Sequence, residues 1–263
     1  MGRIADILTG TRAGERGALM PFLTAGYPDL ESTERILAGL TPAWADIIEL
    51  GIPFSDPIAD GPIIAASMHE ALVSGIRPGD VFDLVRRMRG DIPQGLVAMV
   101  SNSIVERTGA IAFIDAAATA GFDGLIIPDI DLDRVDALLP SIDAHDLAFS
   151  LLVAPTTTDE RLALILPRCR GFVYLLARAG LTGVRSELPD IEPQVRRLRQ
   201  HTNLPIAVGF GISTAEHVST VLASADAAIV GSAIVRSMGD SEDPVQAALS
   251  TIQHLSDGRV PGA

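Results

Sequence analysis

Glu49 and Asp60 stand eleven positions apart in the stretch Ile47-Ile48-Glu49-Leu50-Gly51-Ile52-Pro53-Phe54-Ser55-Asp56-Pro57-Ile58-Ala59-Asp60-Gly61-Pro62. The stretch begins as an apolar run with one carboxylate set into it and continues as a turn-rich segment punctuated by Pro53, Pro57 and Pro62. Neighbours in a strand alternate faces, so Glu49 points opposite to Ile48 and Leu50. A bare carboxylate in a core is expensive unless paired, hydrogen-bonded or neutralised, which makes a Glu placed there a candidate acid–base group. The plain alternative is a strand-end acid held by a backbone amide or an arginine. A loop stiffened by prolines would fold Asp60 back over the strand end. Two carboxylates facing one cavity supply a proton donor and a proton acceptor.

A second constellation is built from glycine. Ala179-Gly180-Leu181-Thr182-Gly183, Val208-Gly209-Phe210-Gly211-Ile212-Ser213 and Val230-Gly231-Ser232-Ala233 each follow a short apolar run. Backbone N–H groups at a helix N-terminus hold phosphate, and glycine allows the close approach, so these loops form a candidate anion cradle with Arg178 beside it. Tight strand-to-helix turns are the alternative. Phe22, Ile126, Leu152, Tyr174 and Phe210 would point into the same mouth and suit a flat apolar group; each also fits an ordinary core position. The run Asp129-Ile130-Asp131-Leu132-Asp133 has the look of a hard-metal loop, but it reads better as a solvated loop with a helix cap, and no metal site is assigned. The five histidines fall in helices or at helix ends, and no Ser-His-Asp or Cys-His spacing is recognisable.

Composition narrows the chemistry. The sequence contains no lysine, which excludes a Schiff-base aldolase and a covalently held pyridoxal phosphate. Its one cysteine, Cys169, excludes an internal disulfide and a Cys-rich metal site. A net charge of −13 and a pI near 4.7 argue against nucleic acid or an anionic membrane as partner. No apolar run approaches the roughly 20 residues of a membrane span, and Met1 to Asp6 does not read as a signal peptide, so a cytoplasmic protein is expected.

The elements that must position these groups follow from periodicity. Apolar strands read at Ala18–Thr24, Ile47–Leu50, Leu96–Val100, Gly124–Ile127, Ala148–Val153, Phe172–Leu176, Ile206–Val208 and Ala227–Val230, and amphipathic helices read between them, with a short lid helix over Gly2–Thr11. Eight strands, each followed by a helix, in 263 residues predict a single (β/α)₈ TIM barrel with an extra N-terminal helix, the size such a barrel needs being about 250 residues. A doubly wound open sheet is the rival. The chain is expected to form one domain over 1–263, with 256–263 a frayed tail. In a barrel the loops after the strands share one mouth, and the glycine cradle would lie across that mouth from Glu49.

Phe22-Leu23-Thr24-Ala25-Gly26-Tyr27-Pro28, the block from Glu49 to Pro62, Gly209-Phe210-Gly211-Ile212-Ser213 and Gly231-Ser232-Ala233-Ile234-Val235 resemble the tryptophan synthase alpha-subunit family over nearly the whole chain. The resemblance implies a barrel that cleaves indole-3-glycerol phosphate to indole and glyceraldehyde 3-phosphate by a retro-aldol reaction, without cofactor. It also implies a beta-subunit partner, a pyridoxal phosphate enzyme that receives the indole, in an alpha2beta2 complex. Carried over, Glu49 is the acid–base and Asp60 holds the indole N–H. Gly183, Gly211, Gly231 and Ser232 bind phosphate, with Phe22, Tyr174 and Phe210 around the indole. Pro53 and Asp56 match the loop turned toward the partner, and Thr182 matches the mobile segment after the sixth strand. After the third strand the family pattern Thr-Tyr-x-Asn-Pro is replaced by Val100-Ser101-Asn102-Ser103-Ile104, so loop three is expected to differ in shape. A free-standing lyase, a catalytically silent barrel that activates a partner, and another phosphate-binding barrel such as a sugar-phosphate isomerase remain as alternatives.

Overall fold

A computed structural model describes residues 2–14, 16–55, 61–178 and 189–259. The strands are β1 (Ala18–Thr24), β2 (Ile47–Gly51), β3 (Gly95–Met99), β4 (Gly124–Ile126), β5 (Ala148–Ser150), β6 (Leu152–Val153), β7 (Val173–Leu176), β8 (Ile206–Gly209) and β9 (Ala227–Val230). All pair in parallel, in the order β5-β4-β3-β2-β1-β9-β8-β7-β6. The two ends of that order, β5 and β6, are joined through Leu151, so the sheet closes on itself. The predicted fifth strand is one segment whose halves serve different neighbours: Ala148–Ser150 pairs with β4 and Leu152–Val153 with β7. Closure of sequential neighbours excludes the doubly wound alternative, in which the strand order reverses.

The register gives the geometry of the ring. Phe22, Glu49, Val97, Gly124 and Ala148 are successive partners on one side, and Ala18, Ala227, Ala207, Tyr174 and Leu152 on the other. One circuit therefore climbs four residues on β1, from Ala18 to Phe22, and four more from Ala148 to Leu152. The total of eight is the shear of a (β/α)₈ barrel.

The outer helices are α1 (Arg3–Ala13), α2 (Leu30–Gly39), α3 (Pro62–Val73), α4 (Pro78–Met88), α5 (Asn102–Thr108), α6 (Ala110–Ala120), α7 (Leu132–Ala144), α8 (Asp159–Ile165), α9 (Glu192–Arg199), α10 (Ala215–Leu222), α11 (Ser232–Gly239) and α12 (Pro244–Ser256). Asp29 caps α2 by accepting the Ser32 N–H at 2.7 Å, and Thr158, Thr214 and Asp243 cap α8, α10 and α12 in the same way. Among the described residues no helix is long and apolar enough to cross a membrane.

Two expectations change. The N-terminal helix is no lid on the mouth. Ile4 of α1 is fully buried and stands where a side chain on Gly95, the first residue of β3, would be, so α1 plugs the opposite end of the barrel. The tail expected to fray from Ser256 is ordered through Arg259, because α12 runs to Ser256 and a 3₁₀ turn covers Asp257–Arg259. Arg259 is buried and donates to Asp46 Oδ1 at 3.1 Å and to the Ala43 carbonyl at 3.0 Å. Residues 260–263 lie outside the described part.

Asp46 belongs to a device used three times at this end. Asp46, Asp123 and Asp226 each precede a strand and accept the N–H of the first or second residue of the adjacent one: Leu19 at 3.0 Å, Leu96 at 2.8 Å and Ile206 at 2.7 Å. Each also meets one arginine on or just after α1 and one from elsewhere: Arg16 and Arg259, Arg3 and Arg89, Arg12 and Arg199. The carboxylates thus satisfy strand-end amides that the ladder leaves over and tether α1 across the barrel floor.

Candidate active site

Strand alternation and the shear decide which side chains meet at the mouth, since alternate strands contribute to one level of a barrel interior. Glu49, Ile126, Tyr174 and Ile229, from β2, β4, β7 and β9, form such a level. Phe22, Met99 and Leu152 form the next one outward, with Gly209 completing it without a side chain. These seven side chains, with Ile64, Pro128, Phe210, Gly211, Ile212, Gly231 and Ser232, line one cavity that is partly open to solvent. Every site residue expected from the sequence that lies in the described part falls on this wall except Pro53, which is buried just past the end of β2, and Arg178, which stands beside Gly211 outside the lining. Asp60, Asp56, Gly183 and Thr182 lie outside the described residues.

Among the described residues Glu49 is the one carboxylate in that lining, and it is 1% exposed. Its chain partner across the β1–β2 ladder is Phe22.

The glycines make room for the rings. A Cβ on Gly51 would lie 2.6 Å from the Phe22 ring, and one on Gly209 would collide with the Tyr174 hydroxyl. Tyr174 and Phe210 meet edge to face, with ring centroids 6.3 Å apart and planes at 83°. Phe210 has φ of 80° and Gly211 of 86°. A left-handed backbone is strained for a bulky residue, and such strain concentrates at functional sites. Gly211 faces open space, with Arg178 Nε the nearest atom at 4.0 Å from a built Cβ.

Gly231 is the N-cap residue of α11, and Ser232 is its first residue. The first amides of a helix have no intrahelical acceptor, so this terminus offers N–H groups to an anion at the edge of the cavity. Around the ring β9 is two, β8 three and β7 four strands from β2, so the strands that carry the candidate cradle run from the wall near Glu49 to the one opposite it; Gly183, after β7, lies outside the described residues.

Ile64, Met99, Pro128, Ile212 and Ile229 complete the lining and were not singled out from the sequence. Met99 and Ile229 share the inward parity of their strands, which could have found them; Ile64 comes from α3, for which strand parity says nothing. After β3 the expected loop is a helix, α5. Ser101 accepts the Ser103 N–H at 3.2 Å, and Asp129 accepts the Asn102 N–H at 2.7 Å and the Ser101 hydroxyl at 2.8 Å. Asp129 is therefore a cap reaching over from the next loop, and among the described residues no group of three or more His, Cys, Asp or Glu is placed to hold a metal ion.

Comparison with known proteins matches residues 8–258 to the family described as tryptophan synthase alpha chain. Relatives of that name include the protein of Prochlorococcus marinus (strain MIT 9313), 44% identical over 229 residues that make up 86% of this chain and 83% of its own. That of Alkalilimnicola ehrlichii is 43% identical, covering 93% and 90%. Among solved structures, Mycobacterium tuberculosis tryptophan synthase superposes with a TM-score of 0.91 at 34% identity over 99% of both chains. Tryptophan synthase subunit alpha from Legionella pneumophila (strain Paris) gives 0.89 at 32% identity over 98% of each.

Proposed function

This chain belongs to the tryptophan synthase alpha chain family, with the alpha-subunit role in tryptophan biosynthesis, and from that premise we propose that it is a carbon–carbon lyase cleaving indole-3-glycerol phosphate to indole and glyceraldehyde 3-phosphate. The observation that carries the reading is Glu49: a buried carboxyl in an apolar cavity that Gly211, Gly231 and Ser232 also line. In this reading the phosphate is held by the amides of those loops, with Gly183 and Arg178 contributing, and the indole lies among Phe22, Ile126, Leu152, Tyr174 and Phe210.

Glu49 gives a proton to the indole ring carbon that carries the glycerol chain, which makes the ring nitrogen cationic. Asp60 accepts the hydrogen bond of that N–H and stabilises its charge. Removal of the proton from the adjacent glycerol hydroxyl, assisted by Glu49, forms the aldehyde as the carbon–carbon bond breaks, and the electron pair returns to the ring. The ring is the electron sink, so a chain with no lysine needs no Schiff base. The barrel acts as one domain in the cytoplasm, with a beta subunit as partner at the loop bearing Pro53 and Asp56 and the segment bearing Thr182, and without a cofactor of its own.

The decisive test is indole release from indole-3-glycerol phosphate by the purified chain, with and without a beta subunit. Slow turnover alone and a large rise with the partner are expected. Equal turnover in both would support a free-standing lyase, and no indole in either would support a silent, partner-activating barrel.

A further inference from the structure

Thr24 ends β1 and is 3% exposed. Its Oγ1 lies 2.7 Å from Oγ of Ser67 on α3, and Ser67 Oγ lies 2.8 Å from the carbonyl oxygen of Ile64. A hydroxyl has one proton and a carbonyl only accepts. Ser67 therefore donates to Ile64, and Thr24 donates to Ser67, so the relay runs one way from the strand end to the first turn of the helix. Ile64, at the end of that relay, lines the cavity with Glu49.

Gly61 at the N-cap supplies no side-chain cap, and Pro62 has no N–H to give. A second contact lies beside the relay, where Phe22 from β1 and Met68 from α3 approach over Gly51; a Cβ there would be 2.6 Å from the ring and 2.9 Å from the Met68 methyl. Thr24 faces that same glycine in the β1–β2 ladder.

We propose that Thr24 and Ser67 are positioning residues for the reaction, setting the place of Ile64 in the cavity wall and so the seat of the flat ring against Glu49. Neither side chain lines the cavity; both act through Ile64. The inference rests on the lyase reading above. Because the phosphate loops follow β7, β8 and β9, loss of the relay disturbs the reacting end and leaves the phosphate end in place, which separates kcat from KM.

The test compares Thr24→Val, Thr24→Ser and Ser67→Ala in the full chain assembled with a beta subunit, by steady-state indole release, together with amide hydrogen exchange over residues 63–67. Thr24→Val is expected to lower kcat by about 10- to 100-fold, the scale of a small misplacement of reacting groups, with KM within about twofold. Exchange over 63–67 should be faster, and Thr24→Ser should recover most of kcat. Ser67→Ala serves as the second probe if the valine variant folds poorly, with the same kinetic pattern expected. Folded variants with wild-type kcat, or a loss that Thr24→Ser does not restore, would overturn the inference. Absence of indole from the wild type overturns the lyase reading instead, and unchanged exchange over 63–67 in both variants then overturns the relay as well.

Discussion

Glu49 carries the acid–base work in the proposed reaction, and its substitution gives the sharpest prediction. Glu49→Gln keeps shape and hydrogen-bonding capacity but cannot transfer the proton, so kcat should fall by about 10²- to 10⁴-fold with KM little changed. Unaltered turnover would remove the assignment. Gly211→Val tests the other end: a β-branched residue at φ of 86° strains the loop and projects into the open space beside Arg178. KM should rise while the chain still folds, and a wild-type KM would count against the phosphate reading. Cys169 is the control for a residue with no part in the chemistry. It is buried, and burial pushes its thiol up to about 11, so alkylation at pH 8 should be slow in the native chain and fast after unfolding.

Strands and helices meet different demands at the two ends of the barrel. At the mouth, glycines at 51, 209 and 231 remove side chains so that Phe22 and Tyr174 fit. At the floor, Asp46, Asp123 and Asp226 replace ladder partners and draw arginines inward. Burial raises the carboxyls of Asp46 and Asp123 above the ordinary range against the pull of their strand-end N–H groups and arginines. Such pairs fix position more than they add stability, yet breaking one leaves a buried charge alone. Asp46→Ala would strand Arg259, 5% exposed, and free the Leu19 amide, so urea unfolding should show a loss of about 3–5 kcal/mol. A loss below about 1 kcal/mol would show that the device is dispensable.

At the scale of the whole molecule, acidity has to be reconciled with the anionic substrate proposed above. A chain of net charge −13 repels phosphate at long range, but amides at the end of α11 and in the glycine loops would meet the anion at close quarters, where fixed dipoles outweigh distant charge. Glycerol 3-phosphate, which has the phosphate end without the ring, should therefore raise the melting temperature. At 100 times its dissociation constant the linkage is worth about 2.7 kcal/mol. Glu49→Gln should keep that gain and Gly211→Val should lose it, and the opposite pattern would exchange the roles given to the two walls.

Alternation of short apolar runs with amphipathic segments was enough to count eight strands and place nearly all the helices, because burial on both faces leaves a continuous apolar signature that one sequence carries. Glu49 was legible for the same reason: a charge inside such a run has few harmless explanations. The wall contributed by Ile64, the helix begun by Ser101 and Asp129, and the seating of Arg259 against Asp46 were not legible. Each joins residues between 28 and 213 positions apart, or depends on which face of a helix meets the barrel, and local pattern does not encode such pairings. The shear of eight made the difference at the mouth. It lifts one strand against the next, so residues with no relation in sequence, Glu49, Ile126, Tyr174 and Ile229, come to one level, and only closure of the ring fixes that height.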